Sequence, residues 1–218
     1  MRELVVTAFL TLDGVMQAPG GPEEDPSGNF ALGGWSVNYW DATMQKVMGE
    51  AMQTPYDLVL GRKTYEIFAA HWPFAGDDPM ARKLNSATKY VASNTLERAD
   101  WANTRLVAGD FAAEIARLKT GDGPELLVQG SWELIQTLLA ANLVDEFRLW
   151  TFPVVVGSGK RLFGDGAMPS GLKLVDIMTS TTGVVMATYR ADGELVTGSF
   201  AFDEPTDAEL RRRESQAS

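Results

Sequence analysis

The chain has 218 residues and a formal net charge of −10, with no cysteine and a single histidine. This length suits one large domain, and its acidic balance argues against a general nucleic-acid-binding surface, which needs cations to neutralise phosphates. Without cysteine the chain cannot form disulfides, Cys-ligated zinc sites or a thiol nucleophile, and one histidine cannot build a multi-histidine centre, so we expect no bound metal.

The first half of the chain alternates predicted strands and helices around one long loop. Apolar, β-branched runs predict strands, and apolar residues spaced three and four apart predict helices. In chain order we expect a strand over residues 4–10, a loop rich in Gly, Pro, Asn and Ser over 17–38, a helix over 41–52, a strand over 57–60 and a helix starting near 65.

The second half continues this alternation and then changes to strands alone. We expect a strand over 89–93, a helix over 111–119, a strand over 125–129, a helix over 132–141, strands over 143–156 and a hairpin over 172–180 and 184–190. This order predicts an α/β fold with a mixed, mostly parallel sheet and an antiparallel C-terminal hairpin. Residues 1–195 would form the single domain, and the charge-rich residues 203–218 a frayed polar tail.

No segment of the chain predicts export or membrane insertion. The first residues run directly into a strand without a secretory pattern. No apolar run approaches the roughly 20 residues that span a bilayer. The sequence therefore predicts a cytoplasmic protein that acts without a membrane partner.

Two junctions repeat one arrangement, in which a buried strand ends at a glycine and a helix starts at once. Helix N-terminal amides favour an anion, and glycine permits a close backbone approach. Two such turns on neighbouring strands could hold the two ends of a dinucleotide, although such junctions are also common structural features. The residues concerned are Gly61, Arg62, Lys63 and Thr64 in the first junction and Gly130, Ser131 and Trp132 in the second.

Other candidates stay open between a structural and a functional role. Asp13 precedes Gly14 in a turn, a pair typical of turns. Asp41 stands at an expected N-cap and could also donate a proton. The basic stretch 157–161 matches neither a Walker loop nor the dinucleotide fingerprint, so a tight turn is its simplest role. Three aromatic residues near the long loop could belong to the core or floor a pocket for a flat ring: Trp35, Tyr39 and Trp40.

Four motifs together resemble a known superfamily. They are Thr-Leu-Asp-Gly at 11–14, Leu-Gly-Arg-Lys-Thr-Tyr-Glu at 60–66, Gln-Gly-Ser at 129–131 and Phe-Pro-Val-Val-Val-Gly-Ser-Gly-Lys-Arg-Leu-Phe at 152–163. In this order they resemble the dihydrofolate reductase-like superfamily. The sequence is most similar to the reductase (C-terminal) domain of the bifunctional riboflavin-biosynthesis deaminase/reductase and its stand-alone relatives. The resemblance covers about residues 3–191.

The resemblance implies a sheet of about eight strands with NADPH bound across the strands' carboxyl ends. It implies that the 61–64 turn meets the adenosine-side phosphates, that Ser93 and Asn94 lie near the 2′-phosphate, and that Gly130, Ser131 and Trp132 cover the pyrophosphate. Asp13 and Gly14 would sit beside the nicotinamide. The family analogy also suggests a homodimer.

The sequence departs from this pattern at two turns. Ser131 stands where folate reductases carry a second glycine, and Asn94 where they usually carry a basic residue. The zinc deaminase half of the riboflavin enzyme is absent.

We therefore expect an NADPH-dependent reductase of the riboflavin-reductase-like branch. Its substrate would be a C=N or C=O group of a small heterocyclic or sugar-linked compound. Asp41 or a water would supply the proton, and Asp13 would orient groups near the ring. The alternatives are a non-catalytic protein that binds a nucleotide or another small ligand on the same scaffold, and a purely structural dimer.

Overall fold

The computed structural model describes residues 1–164, 167–202 and 204–216, and it contains one mixed eight-stranded sheet. The spatial order is β4-β3-β2-β5-β1-β6-β8-β7; β6 to β8 and β8 to β7 pair antiparallel, and the other neighbours pair parallel. The strands are β1 (Leu4–Thr11), β2 (Tyr56–Gly61), β3 (Lys89–Ala92), β4 (Thr104–Val107), β5 (Glu125–Gln129), β6 (Glu146–Phe152), β7 (Leu172–Thr179) and β8 (Val185–Ala191).

Helices cover both faces of the sheet because the central strands are apolar on both sides. The odd-numbered residues of β1 face α1 (Ala42–Ala51), α2 (Arg62–His71) and α3 (Pro79–Ser86), whereas its even-numbered residues face α4 (Phe111–Thr120) and α5 (Trp132–Ala140). Such two-sided burial is typical of parallel strands. The three-layer arrangement leaves the carboxyl ends of the parallel strands at one edge.

The predicted fold class is confirmed, including the parallel centre and the antiparallel hairpin. The sequence reading missed α3, a polar helix that begins at a proline and is capped by Asp78, and the four-residue, partly exposed β4. Within the predicted tail, Asp207–Gln216 forms a helix, α6, which three arginine–glutamate contacts hold together. Asp203, Ala217 and Ser218 of that tail lie outside the described residues.

The long loop over residues 17–38 is ordered by its own polar contacts. The carboxamide of Gln17 donates to the carbonyls of Asp25 and Ser27, and the indole of Trp35 donates to the carbonyl of Gln17. Gln17 is only 4% exposed, so these bonds satisfy a buried polar group. The loop is therefore a fixed wall of the molecule rather than an unstructured connection.

None of the helices in the described ranges is long and apolar enough to cross a membrane.

Lys89 on β3 is a charged side chain that is completely buried. Its ammonium donates to the carbonyls of Asn85, Ala87 and Ala102, and it lies 4.2 Å from the centre of the Trp101 ring. Three carbonyls match the three donors of an ammonium, but none of them carries a compensating charge. Burial therefore lowers the pKa of Lys89 from 10.5 to about 8.

We expect Lys89 to make stability depend on alkaline pH. Between about pH 8 and 10.5 the unfolded chain keeps the Lys89 proton and the folded protein releases it, so the free energy of unfolding rises with pH. The rise should reach about 3 kcal/mol. Urea unfolding across this range should show the rise in the wild type and in the exposed-lysine control Lys173→Met, and not in Lys89→Met. An equal rise in all three proteins would contradict the assignment.

Candidate functional site

A cleft of about 1200 Å³ opens at the carboxyl ends of the parallel strands and continues along one face of the sheet. Its walls come from the long loop, the first turns of α2 and α5, and the turn that follows β3. This position is where open α/β sheets generally bind ligands. The predicted site residues that line it are Gly61, Arg62, Lys63, Thr64, Ser93, Asn94, Gly130, Ser131 and Trp132.

The two helices that start in the cleft differ from the other helices at their N-termini. An aspartate side chain caps each of α1, α3 and α4, through Asp41, Asp78 and Asp110. Among the residues that the structure describes, no side chain caps α2 or α5, so the amides of their first turns have no such partner there. Both helix ends therefore keep the amide donors and the positive end of the helix dipole available to an anion.

A pair of hydrogen bonds locks the two junctions together. The hydroxyl of Thr64 accepts the amide of Ser131 at 2.9 Å, and the hydroxyl of Ser131 accepts the amide of Gly61 at 2.9 Å. Gly130 and Ser131 both adopt left-handed backbone angles, with φ near +61°. The two hydroxyls thus hold the turns in register, and Thr64 still has its own proton to donate to a ligand.

Positive charge lies at the α2 end of the cleft. The Arg62 guanidinium bonds to Glu66 at 2.7 Å and to the hydroxyl of Thr95 at 2.6 Å, which ties it to the turn after β3. Over the ranges that the structure describes, no carboxylate pairs with Lys63, which is exposed. This end of the cleft can therefore attract a phosphate.

Ser93 and Asn94 shape the turn beside Arg62. The Ser93 hydroxyl accepts the amides of Thr95 and Leu96, and the Asn94 carboxamide oxygen accepts the amide of Gly109. The amide nitrogen of Asn94 stays available to a ligand. The structure thus places both residues in the turn that Arg62 contacts through Thr95, with part of their bonding capacity used in the turn.

Asp13 serves as a tie between two loops and does not line the cleft. Its carboxylate accepts the Thr11 hydroxyl and the amides of Val156 and Gly157. These bonds, led by that from Thr11, lower the pKa of Asp13. Neighbouring Gly14, with φ +79°, also lies outside the lining, and its carbonyl accepts the amide of Leu162.

The cationic side chains of the turn at 157–161 make contacts within the same group of loops. The Arg161 guanidinium donates to the carbonyls of Asp13 and Gly157, and the Lys160 ammonium pairs with Asp25 at 2.6 Å. A side chain at Gly159 would lie 2.7 Å from Val15, so the two loops approach closely there. The turn fixes the long loop; its cations are already paired.

Asp41 caps α1, and the structure gives no support to its predicted role as proton donor. One oxygen accepts the amide of Met44 at 2.8 Å, and the other accepts both the amide and the hydroxyl of Thr181 at 2.7 Å. These bonds lower the pKa of Asp41, and the residue does not line the cleft. A general acid must hold a proton at working pH, and a lowered pKa opposes that role.

Aromatic rings cover the sheet beside α1. Phe9 stacks on Trp150 at 5.2 Å between ring centres, and Trp40 lies 5.7 Å from Trp150. Trp40 and Phe9 line the cleft, whereas Trp35 and Tyr39 pack edge-on against Phe152. Of the aromatics that the sequence singled out, only Trp40 therefore presents a surface to a ligand.

The sequence reading missed Glu24, a carboxyl on the long loop that lines the cleft. It accepts the amide of Gly20 at 2.6 Å. Burial raises the pKa of Glu24, and the nearby amides of Gly20 and Gly21 offset only part of this rise. The only sequence signal was three successive acidic residues, 23–25, inside a loop otherwise rich in glycine and proline.

Across the described ranges, no group of three or more acidic or histidine side chains is arranged to hold a metal ion.

Solved structures show which fold this is. The chain matches the protein named "Putative riboflavin biosynthesis protein" from Shewanella sp. PV-4 with a TM-score of 0.60 and 22% identity, covering 87% of this chain and 99% of that one. It matches dihydrofolate reductase from Enterococcus faecalis, solved with NADP(H), with a TM-score of 0.54 and 14% identity, covering 87% and 96%. The protein therefore has the dihydrofolate reductase-like fold.

The chain belongs to the RibD C-terminal domain family, whose model matches residues 2–186. A full-length relative is the uncharacterized protein YyaP of Bacillus subtilis (strain 168), which is 29% identical over 198 residues, covering 88% of this chain and 96% of the relative. The resemblance drawn from the four motifs is thereby confirmed at the level of the family.

We expect Gly130→Ala to destabilise the protein. The left-handed backbone at Gly130 disfavours a Cβ, which would also lie 3.0 Å from the Thr64 methyl group. The free energy of unfolding in urea should fall by about 1–2 kcal/mol. Gly49→Ala, inside α1 where a Cβ meets nothing within 4 Å, should instead stabilise by up to about 1 kcal/mol. Equal effects would refute the locked-turn geometry.

We expect Glu24→Gln to change how stability depends on mildly acidic pH. Since the folded carboxyl binds its proton more tightly than the unfolded one, the free energy of unfolding falls as pH rises from 4.5 through the folded pKa. Glutamine keeps an acceptor for the Gly20 amide and removes this fall. Urea unfolding at a series of pH values measures it, with the exposed neighbour Glu23→Gln as control. Identical profiles for both variants would contradict the assignment.

Proposed function

We propose that this protein is an NADPH-dependent reductase. The observation that carries the proposal is the pair of uncapped helix N-termini, α2 and α5, held side by side at the carboxyl ends of neighbouring strands. Two anion-binding ends in one cleft suit a ligand with phosphates at two places, as a dinucleotide has. The family match supports a reductase over other dinucleotide-binding proteins.

The side chains present fit NADPH. Lys63 and the free first-turn amides of α2 would bind the adenosine-side phosphate, and Arg62 with Asn94 would bind the 2′-phosphate. The amides of Trp132 and its neighbours in α5 would bind the pyrophosphate. This donor set is cationic at one end and amide-rich at the other, although the chain as a whole is acidic.

When bound, the cofactor supplies a hydride. The chain contributes binding, exclusion of water and a proton. The long loop, fixed by Gln17 and by the Lys160–Asp25 pair, closes one side of the cleft against solvent. Hydrogen bonds from Lys160 and Ser27 lower the pKa of Asp25 even though burial alone would raise it. Glu24, whose pKa burial raises, is therefore our candidate for the group that holds a proton at the cleft.

We expect Arg62→Ala to weaken NADPH binding about 10- to 100-fold, because it removes a charge-assisted contact to phosphate. NADH lacks the 2′-phosphate, so its affinity should change much less. Nicotinamide fluorescence titration measures both constants. Arg82→Ala is the matched control, since Arg82 is exposed and lies outside the cleft.

Two outcomes would contradict this proposal. If the folded wild type binds neither nucleotide, the non-catalytic small-ligand protein on the same scaffold becomes the better hypothesis. If Arg62→Ala weakens NADPH and NADH equally, Arg62 does not read the 2′-phosphate, and the preference for NADPH is wrong.

A further inference from the structure

The cleft continues into a groove on one face of the sheet, away from the two helix N-termini. Apolar side chains from three helical segments line it: Met48 and Met52 at the end of α1, Phe68 of α2 and Leu84 of α3. Central strands form its floor. This groove is the part of the cleft that remains for a second ligand once a dinucleotide occupies the helix ends.

A row of polar side chains crosses this floor. Thr7 on β1 stands in register with Gln129 on β5 and with Arg148 on β6, so the three share one face. Two residues further along β1, toward the carboxyl ends, the same face carries Phe9, in register with Trp150. Two residues in the opposite direction it carries Val5, in register with Leu127 and with the carboxylate Glu146. The polar row thus borders on aromatic side chains on one side only.

Two members of the row have their polar groups free. Within the described residues, neither the hydroxyl of Thr7 nor the carboxamide of Gln129 has a hydrogen-bond partner, and both side chains are partly exposed to the cleft. A carboxamide presents one acceptor beside two donors, which is the complement of a lactam N–H and its adjacent C=O. The Thr7 hydroxyl, on the neighbouring strand, can accept from the lactam N–H or donate to its C=O.

The third member, Arg148, is neutralised. Its guanidinium bonds both oxygens of Glu125 at 2.8 Å and one oxygen of Glu146 at 2.7 Å, while Arg190 bonds the other oxygen of Glu146 at 2.8 Å. Arg190 also pairs with Glu3 at 3.1 Å, so the network holds two cations and three carboxylates. An anionic group entering here would meet two carboxylates as well as the arginine, so the floor offers no phosphate site.

We propose that this groove selects an uncharged, planar ring compound with a lactam edge, read by Gln129 and Thr7, and rejects substrates that carry a phosphate or another anion there. This inference rests on the proposed function, because the groove is a substrate site only if the helix ends of the cleft bind the cofactor. Aromatic and sulfur-bearing walls favour a flat unsaturated ring. Of the heterocyclic and sugar-linked substrates that the sequence predicted, those that would place a phosphate in this groove are excluded.

The test uses three related probes without any cofactor. Isatin is a planar, uncharged lactam; N-methylisatin lacks the lactam N–H; isatin-5-sulfonate adds a negative charge. Calorimetric titration of the full chain should show isatin binding, with N-methylisatin about three- to tenfold weaker. Isatin-5-sulfonate should bind at least tenfold more weakly than isatin.

Variants tie this preference to the two side chains. Gln129→Leu and Thr7→Val should each weaken isatin about three- to tenfold and reduce the difference between isatin and N-methylisatin. Thr7→Ser keeps the hydroxyl and should retain affinity. Gln45→Leu, an exposed glutamine of α1 outside the cleft, is the matched control. Urea unfolding of each variant verifies that it is folded.

Several results would overturn the inference. They are isatin-5-sulfonate binding as tightly as isatin, no detectable binding of isatin, or equal isatin affinity in the wild type, Gln129→Leu and Thr7→Val. NADPH affinity is measured separately on the same proteins. A wild type that binds isatin as expected but not NADPH would refute the reductase proposal while leaving the groove's preference intact.

Discussion

The cleft depends on one constraint, the pair of hydrogen bonds that joins the turn at Gly61–Thr64 to the turn at Gly130–Ser131. Because β2 and β5 are parallel neighbours, α2 and α5 must begin at the same edge of the sheet. Gly61, the N-cap residue of α2, has no side chain, and Ser131, the N-cap residue of α5, accepts the Gly61 amide from a left-handed backbone and bonds no amide of its own helix. The two junction residues that join the turns therefore leave both helix ends without side-chain caps.

A second set of contacts turns the long loop into a wall. Asp13 joins the end of β1 to the turn at 157–161, and the cations of that turn hold the loop through Asp25 and the Asp13 carbonyl. The carboxylate that the sequence reading placed beside a cofactor therefore acts one step away, by fixing the wall that carries Glu24. The Asp13 carboxylate accepts every one of these hydrogen bonds, so its ionised form stabilises the contact between the two loops.

The sequence predicted most accurately the features that depend on residues close together in the chain. A buried strand, a glycine and a helix start lie within seven residues at each junction, so both junctions could be found by reading along the chain. Besides their local partners Met44 and Thr11, Asp41 and Asp13 have partners 140 and 143 or more residues away, which local patterns cannot reveal. Glu24 and the Thr7–Gln129 pair were missed for the same reason. The predicted homodimer stays a prediction.

The two ends of the cleft impose opposite requirements on a ligand. The helix ends, with Arg62 and Lys63, stabilise negative charge, whereas the cations of the floor, Arg148 and Arg190, are already paired with carboxylates and its walls are apolar. Placing a phosphate on the floor would bring it to Glu125 and Glu146, and placing an apolar ring at the helix ends would leave their amides without partners. On the proposed function, charge therefore assigns the phosphates of the dinucleotide to the helix ends and an uncharged ring to the floor.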